Sequence, residues 1–275
     1  MTTPRRGVAA LLIGVLVVGA GLVAGVLLVL QRDQKSPARH VATGADPTPS
    51  PTPTTSQPPQ PSLLSGRLGM PNQPVIAVKI DNTAKAHPLV GLSKADVVYV
   101  EQVEGGVTRL AAVYSSAYPK YVGPVRSARI TDIDLLRQYG RVGLVYSGSQ
   151  NRLHDNLSRA ELGLVSFDRS REGFLRSSGR PMPYDVIGTF STLVKRAGKV
   201  DAPKRVGYTF GPAPAGGKPA ASVRVSYPFA SVSASWGGKR WLLSMDGVPA
   251  KAAEGGRLGA STLVVQFSDI HGSGY

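Results

Sequence analysis

Along residues 8–30 the chain has no polar pattern at all: 23 uncharged residues, fifteen of them Leu, Ile or Val, follow Arg5 and Arg6. At 1.5 Å per residue a helix of this length spans roughly 35 Å, enough to cross a hydrocarbon core of about 30 Å. The run is longer than the roughly 7–15 residues of a cleaved signal. It ends in Leu-Val-Leu-Gln-Arg-Asp, with no small-x-small site directly behind it. The pattern predicts one N-terminal transmembrane helix over residues 8–30, an uncleaved signal anchor, with residues 1–7 in the cytoplasm.

The next stretch has the opposite character. Residues 46–61 read DPTPSPTPTTSQPPQP, a composition that buries too little apolar surface to offset chain entropy. Residues 31–65 are therefore expected to form a disordered Pro/Ser/Thr-rich stalk. Positive charge is nearly balanced on the two sides of the apolar run, so the positive-inside rule alone does not orient it. The stalk does, because such segments are typical of exported chains. The expected localisation is the cell membrane, single-pass, with the globular region extracytoplasmic.

From residue 66 onward, short periodic segments return. Residues 74–81 (PVIAVKID) form an apolar strand. Residues 96–103 and 107–114 are β-rich runs joined by Glu104-Gly105-Gly106, a hairpin signature. Residues 131–139 place Ile133, Leu135, Leu136 and Tyr139 at helical spacing. Residues 142–146 and 162–167 read as strands, and 190–197 as a short helix. After about residue 205 the signals are all β. Residues 222–227 alternate, 232–236 and 240–244 flank Gly237-Gly238, Asp246-Gly247 marks a tight turn, and 262–267 form a last strand with no evident partner after it. The predicted fold class is an α/β (α+β) N-terminal domain over 66–205 followed by a β-rich C-terminal domain over 206–275.

Charge adds direction. The chain carries a formal net charge of +15, and from residue 66 onward 27 Lys and Arg face 15 Asp and Glu. Such an excess suits an anionic cell-wall polymer or a lipid-linked phosphate; outside the cell, nucleic acid is not an expected partner. Without cysteine there is no disulfide framework, thiolate metal site or lipid-acceptor thiol. No Gly-x-Ser-x-Gly, Walker loop, His-Glu-x-x-His or Rossmann fingerprint occurs. The four histidines, His40, His87, His154 and His271, are scattered.

Polar residues gather instead at element ends. Arg109, Arg126, Ser127 and Arg129 lie by the start of the 131–139 helix, where free N–H groups and arginine forks suit an anion. Asp81, Glu101, Glu104, Asp132 and Asp134 are the candidate acids. A divalent cation is the one cofactor they suggest, since hard cations prefer oxygen ligands. The bland alternative uses the same residues: Arg126 and Arg129 pair with Glu101, Glu104 or Asp132 in a structural network. Three function classes stay open: an envelope protein binding an anionic polymer or lipid-linked phosphate, a metal-dependent phosphate-transfer or hydrolytic enzyme, and a structural partner of cell-wall synthesis proteins.

Residues 74–82, 92–109 (LSKADVVYVEQVEGGVTR) and 122–133 (VGPVRSARITDI) resemble the YerB-like family of bacterial envelope proteins, a domain of unknown function. Weaker similarity continues through 142–149 and 236–266. The resemblance implies an envelope location and a two-part fold, and it implies no reaction. The chain departs from the family in lacking a lipidated cysteine. It also has Pro183-Tyr184-Asp185-Val186 where the family tends to have His-Asn-Leu-Tyr. The family's C-terminal part continues further, so this chain is expected to stop within it.

Overall fold

Every residue of the IAVKID strand is covered, which requires a layer on each face of its sheet. The computed structural model describes residues 10–17 and 59–269. In chain order the first strands are β1 (Ala10–Val17), β2 (Ile76–Asp81), β3 (Val97–Gln102), β4 (Thr108–Tyr114) and β5 (Tyr121–Val122). Helix α1 (Thr131–Arg137), β6 (Val142–Tyr146), α2 (His154–Arg159), β7 (Leu162–Ser166), β8 (Phe174–Arg176), β9 (Val186–Thr189) and α3 (Phe190–Arg196) follow. The last part is all strand: β10 (Ser222–Tyr227), β11 (Ala230–Trp236), β12 (Trp241–Met245), β13 (Val248–Pro249), β14 (Gly259–Ala260) and β15 (Thr262–Asp269). The described residues are thus mostly β with few helices.

A seven-stranded sheet has the order β15-β1-β3-β4-β2-β6-β7. β2, β6 and β7 are parallel, and the remaining pairs are antiparallel. Along β2 the side chains alternate between two cores. Val75 and Ala77, with Tyr99, Ala111 and Val113, meet Leu136, Tyr139 and Leu157 on the side of α1 and α2. Ile76, Val78 and Ile80, with Leu110 and Ala112, meet Phe190 and Leu193 of α3 on the other side. The same core takes in Val225, Tyr227, Leu243 and Met245 from the sheet of β10 to β14. A small sheet, β5-β9-β8, completes the fold. Leu64 is already fully buried.

The strands expected over 74–81, 96–103, 107–114, 142–146 and 162–167 all appear, and Asp246-Gly247 turns with both residues at positive φ. One pairing was not expected. The last strand has a partner, because β15 runs antiparallel to β1 from the other end of the chain, with Ala10 opposite Asp269 and Val17 opposite Thr262. Where the structure describes the uncharged run, at Ala10–Val17, the backbone is extended rather than helical. A run with no polar face carries no period, so helix and buried strand share its pattern. Residues 8–9 and 18–30, and with them most of the expected membrane-spanning helix, lie outside the described residues, as do His40 and His271. No helix of the described residues is long and apolar enough to cross a membrane.

Candidate functional site

At its C-terminal end β2 parts from β6, and the loop 124–129 enters the gap. The Asp81 amide donates to the Pro124 carbonyl at 3.0 Å, and the Arg126 amide donates to the Lys79 carbonyl at 2.8 Å. On its other side the loop takes the Ser147 amide on the Arg126 carbonyl at 2.9 Å. Crevices at the carboxyl ends of parallel strands are where open sheets of this kind hold ligands. Here the Val-Arg-Ser-Ala-Arg stretch lines that position.

Register delivers the charges. Arg109 lies directly opposite both Asp81 of β2 and Glu101 of β3, so the three share one face. That face is apolar lower down, at Val75, Ala77 and Val97, and ionic at its top. Arg126 Nε donates to Asp81 Oδ2 at 2.7 Å, while Asp81 Oδ1 accepts from the Thr83 amide and hydroxyl at 2.7 and 2.6 Å. Arg129 grips Glu104 with Nε at 2.7 Å and Nη2 at 2.6 Å. Burial alone would raise the Glu104 carboxyl; the Arg129 hydrogen bond and the charges of Arg129 and Arg109 hold it below the usual range instead. Gln150 donates to the same carboxylate at 3.1 Å.

Arg109 is left with little. Among the described residues its side chain donates to the Ser127 carbonyl at 3.2 Å, and no carboxylate lies within ion-pair distance of it. Burial and the like charges of Arg129 and Arg126 lower its pKa to about 10, which leaves it charged at neutral pH. Three guanidinium groups therefore crowd one crevice, two held by acids and one, among the described residues, without an acid partner.

Behind this lies a charged group that sequence reasoning missed. Lys79, wholly buried, donates to Glu101 at 2.8 Å and forms an ion pair with Asp132 at 2.7 Å. Thr131 Oγ1 also donates to Glu101, at 2.9 Å, and the Arg129 amide donates to Asp132 Oδ2 at 2.7 Å. A lysine inside an apolar strand was the available signal, since lysine is almost never fully buried unless paired.

Several expectations are corrected by this geometry. The helix begins at Thr131, where it was expected, and runs seven residues, so Arg126 and Arg129 lie in the turn ahead of it. The Asp132 carboxylate turns back onto the Arg129 amide just ahead of the helix, so the helix start itself is no anion cradle. Ser127 contributes its carbonyl instead of its hydroxyl. Asp134 is exposed and pairs with Arg137, away from the crevice. The structural pairing of Arg129 with Glu104 is present, but Glu101 and Asp132 serve Lys79. Asp81, Glu101, Glu104 and Asp132 each already face a cation, and among the described residues no group of three or more His, Asp or Glu could hold a metal ion. The Pro183–Val186 stretch borders the site: the Tyr184 ring lies 5.8 Å from the Arg126 guanidinium, and the Val186 carbonyl accepts the Val125 amide.

This β-rich sheet, with the Gly-Pro-Val-Arg-Ser-Ala-Arg loop in its crevice, defines a class. Residues 64–203 match the family described as "Protein of unknown function (DUF3048) N-terminal domain". That is half of the chain, and the protein belongs to this family. The "Putative lipoprotein YerB" of Bacillus subtilis (strain 168) is 52% identical over 125 residues, covering 44% of this chain and 37% of that protein. The chain thus spans little more than a third of that relative. A crystal structure of YerB from Bacillus subtilis superposes with a TM-score of 0.61 over 72% of this chain and 71% of that one, at 24% identity, and so shares the fold.

Proposed function

We propose that this is a membrane-held protein of the bacterial cell envelope whose crevice binds an anionic envelope polymer or a lipid-linked phosphate. The observation that carries the reading is Arg109. It is a half-buried guanidinium, flanked by two more, with one carbonyl as its acceptor. A cation so placed is costly unless an anion completes it. The relative named a lipoprotein belongs to a class held at membranes by a lipid. In this chain, which has no cysteine, the uncharged run 8–30 would take that part.

A phosphate oxygen held by arginine gains roughly 1.5–3 kcal/mol per charged hydrogen bond. Arg109→Ala should therefore weaken binding of polyphosphate or teichoic acid about tenfold to a hundredfold. The same change should alter stability by less than about 1 kcal/mol, since little else in the fold depends on that side chain. Arg109→Lys should restore little, because the planar fork is lost. Arg126→Ala should instead lower the melting temperature, leaving the buried Asp81 carboxylate to the donors of Thr83. Unchanged polymer binding by Arg109→Ala would refute the reading.

A further inference from the structure

We propose that the Arg129 fork and the Gln150 amide form a second anion subsite, filled in this structure by the Glu104 carboxylate. On the reading that Arg109 holds one phosphate of the ligand, on which this rests, a second phosphate of the same molecule displaces Glu104. Two side chains converge on that carboxylate from different loops. Arg129 meets Oε2 with Nε at 2.7 Å and Nη2 at 2.6 Å, and Gln150 Nε2 donates to Oε1 at 3.1 Å. The Gln150 amide is itself oriented, because its oxygen accepts from Arg152 Nε at 2.9 Å and leaves the NH2 to face the acid. Both Arg129 nitrogens share one carboxylate oxygen, whereas a phosphate group can offer an oxygen to each.

The cradle does not depend on the acid inside it. Arg129 is fixed by its own amide on Asp132 Oδ2 at 2.7 Å and by Nη1 on the Ala128 carbonyl at 2.8 Å. Arg109 is anchored on the neighbouring carbonyl, that of Ser127, and feels the Arg129 charge. One ligand with two closely spaced phosphates can therefore meet both guanidinium groups. The acid is also the one that can leave. The side chains of Asp81, Glu101 and Asp132 are at most 3% exposed, but that of Glu104 is 39% exposed, so its position is reachable from solvent. The hairpin carrying it closes through backbone bonds, Val103 amide to Val107 carbonyl at 2.9 Å and Gly106 amide to Val103 carbonyl at 3.2 Å. Neither uses the Glu104 side chain.

Glu104 competes from a tether, and so does a second phosphate on a molecule already held at Arg109. Removing the carboxylate charge removes the competitor and leaves the donors. A purely structural ion pair predicts the reverse: its loss disorders Arg129 and weakens anion binding or leaves it alone.

The test titrates the full-length protein by calorimetry with two probes, a linear polyphosphate and farnesyl diphosphate. Glu104→Gln should bind at least one of them about tenfold more tightly than the wild type. A gain for polyphosphate alone supports the subsite with a polymer as its source, and a gain for farnesyl diphosphate alone supports it with a lipid-linked one. Adding Gln150→Leu to Glu104→Gln should remove part of the gain. Asp134→Asn, which deletes an exposed acid away from the crevice, should produce none. In the wild type, saturating probe should shift the Arg129 Nε resonance as the partner of that nitrogen changes. Glu104→Gln affinities no higher than the wild type's for both probes would overturn the subsite. An unmoved Arg129 resonance would do so without any variant. Failure of the Arg109 reading shows separately, in the wild-type background, as binding indifferent to Arg109→Ala.

Discussion

Lys79, Glu101 and Asp132 meet where water does not reach, and their numbers are uneven: two acids and one base. Burial, with the negative charge of Glu101, pushes Asp132 up from 3.8 to about 6, against the attraction of Lys79. Burial would lower Lys79, but the two acids override it and raise it. A raised acid contributes stability that is present below its ordinary pKa and lost as pH rises through the folded value. Asp132 therefore favours the fold below about pH 4, and that contribution fades toward pH 6. Asp132→Asn should destabilise most near pH 4.5. Its deficit should shrink by pH 8, by up to about 3 kcal/mol from a shift of roughly two units. Lys79→Met should cost about 3–5 kcal/mol and cost most at pH 8, where two carboxylates stay buried without a counter-charge. Urea denaturation of both variants between pH 4.5 and 8 checks this. A pH-independent Asp132→Asn deficit would show that the surplus charge is not felt.

The candidate residues were legible one by one, but their partners were not. A sequence shows Arg126 and Arg129 three apart. It does not show that β2 parts from β6 to admit their loop, nor that Asp81 waits there. Arg109 could be placed beside the hairpin turn. Its lack of an acid partner depends on which carboxylates Lys79 and the other arginines had already taken, and that is a property of the packed molecule.

Among the elements, the turn of the β3–β4 hairpin shows how local signals and packing divide the work. Gly105 and Gly106 both sit at positive φ, 73° and 69°, so alanine at either carries a backbone penalty of about 1–2 kcal/mol. Only Gly106 is crowded. A Cβ there would lie 2.6 Å from Pro228, whose neighbour Phe229 donates its amide to the Gly106 carbonyl at 2.9 Å. At Gly105 a Cβ meets nothing within 4 Å. Gly106→Ala should thus exceed Gly105→Ala by at least about 1 kcal/mol in thermal or urea unfolding. It should also loosen the β10–β11 turn from the loop carrying Glu104. Equal losses would mean that the turn is not clamped there. The glycine pair announced the hairpin in the sequence, but the clamp comes from residues more than a hundred positions away. Short pieces such as α2, β8 and β9 went unread for a related reason: few residues and no clear period leave packing alone to decide them.

At the scale of the whole molecule, the fate of the first thirty residues governs the rest. In the structure Ala10–Val17 lies between β3 and β15. A membrane-spanning helix over 8–30 would withdraw it, and the two arrangements exclude one another. Buried Lys79 bears on how an experiment on intact cells would read. A membrane-impermeant amine-acylating reagent, applied to spheroplasts, should label the exposed Lys218, Lys239 and Lys251 if the globular region faces outward, and the protein should sediment with the membranes. Full protection of those three lysines would place the region inside. Lys79, with no accessible surface, should stay unlabelled in either topology until the chain is denatured. One primary amine is thereby withheld from the reagent by the fold itself. In a peptide digest its acylation would report molecules that had lost their native structure, separately from the lysines that report which side of the membrane they were on.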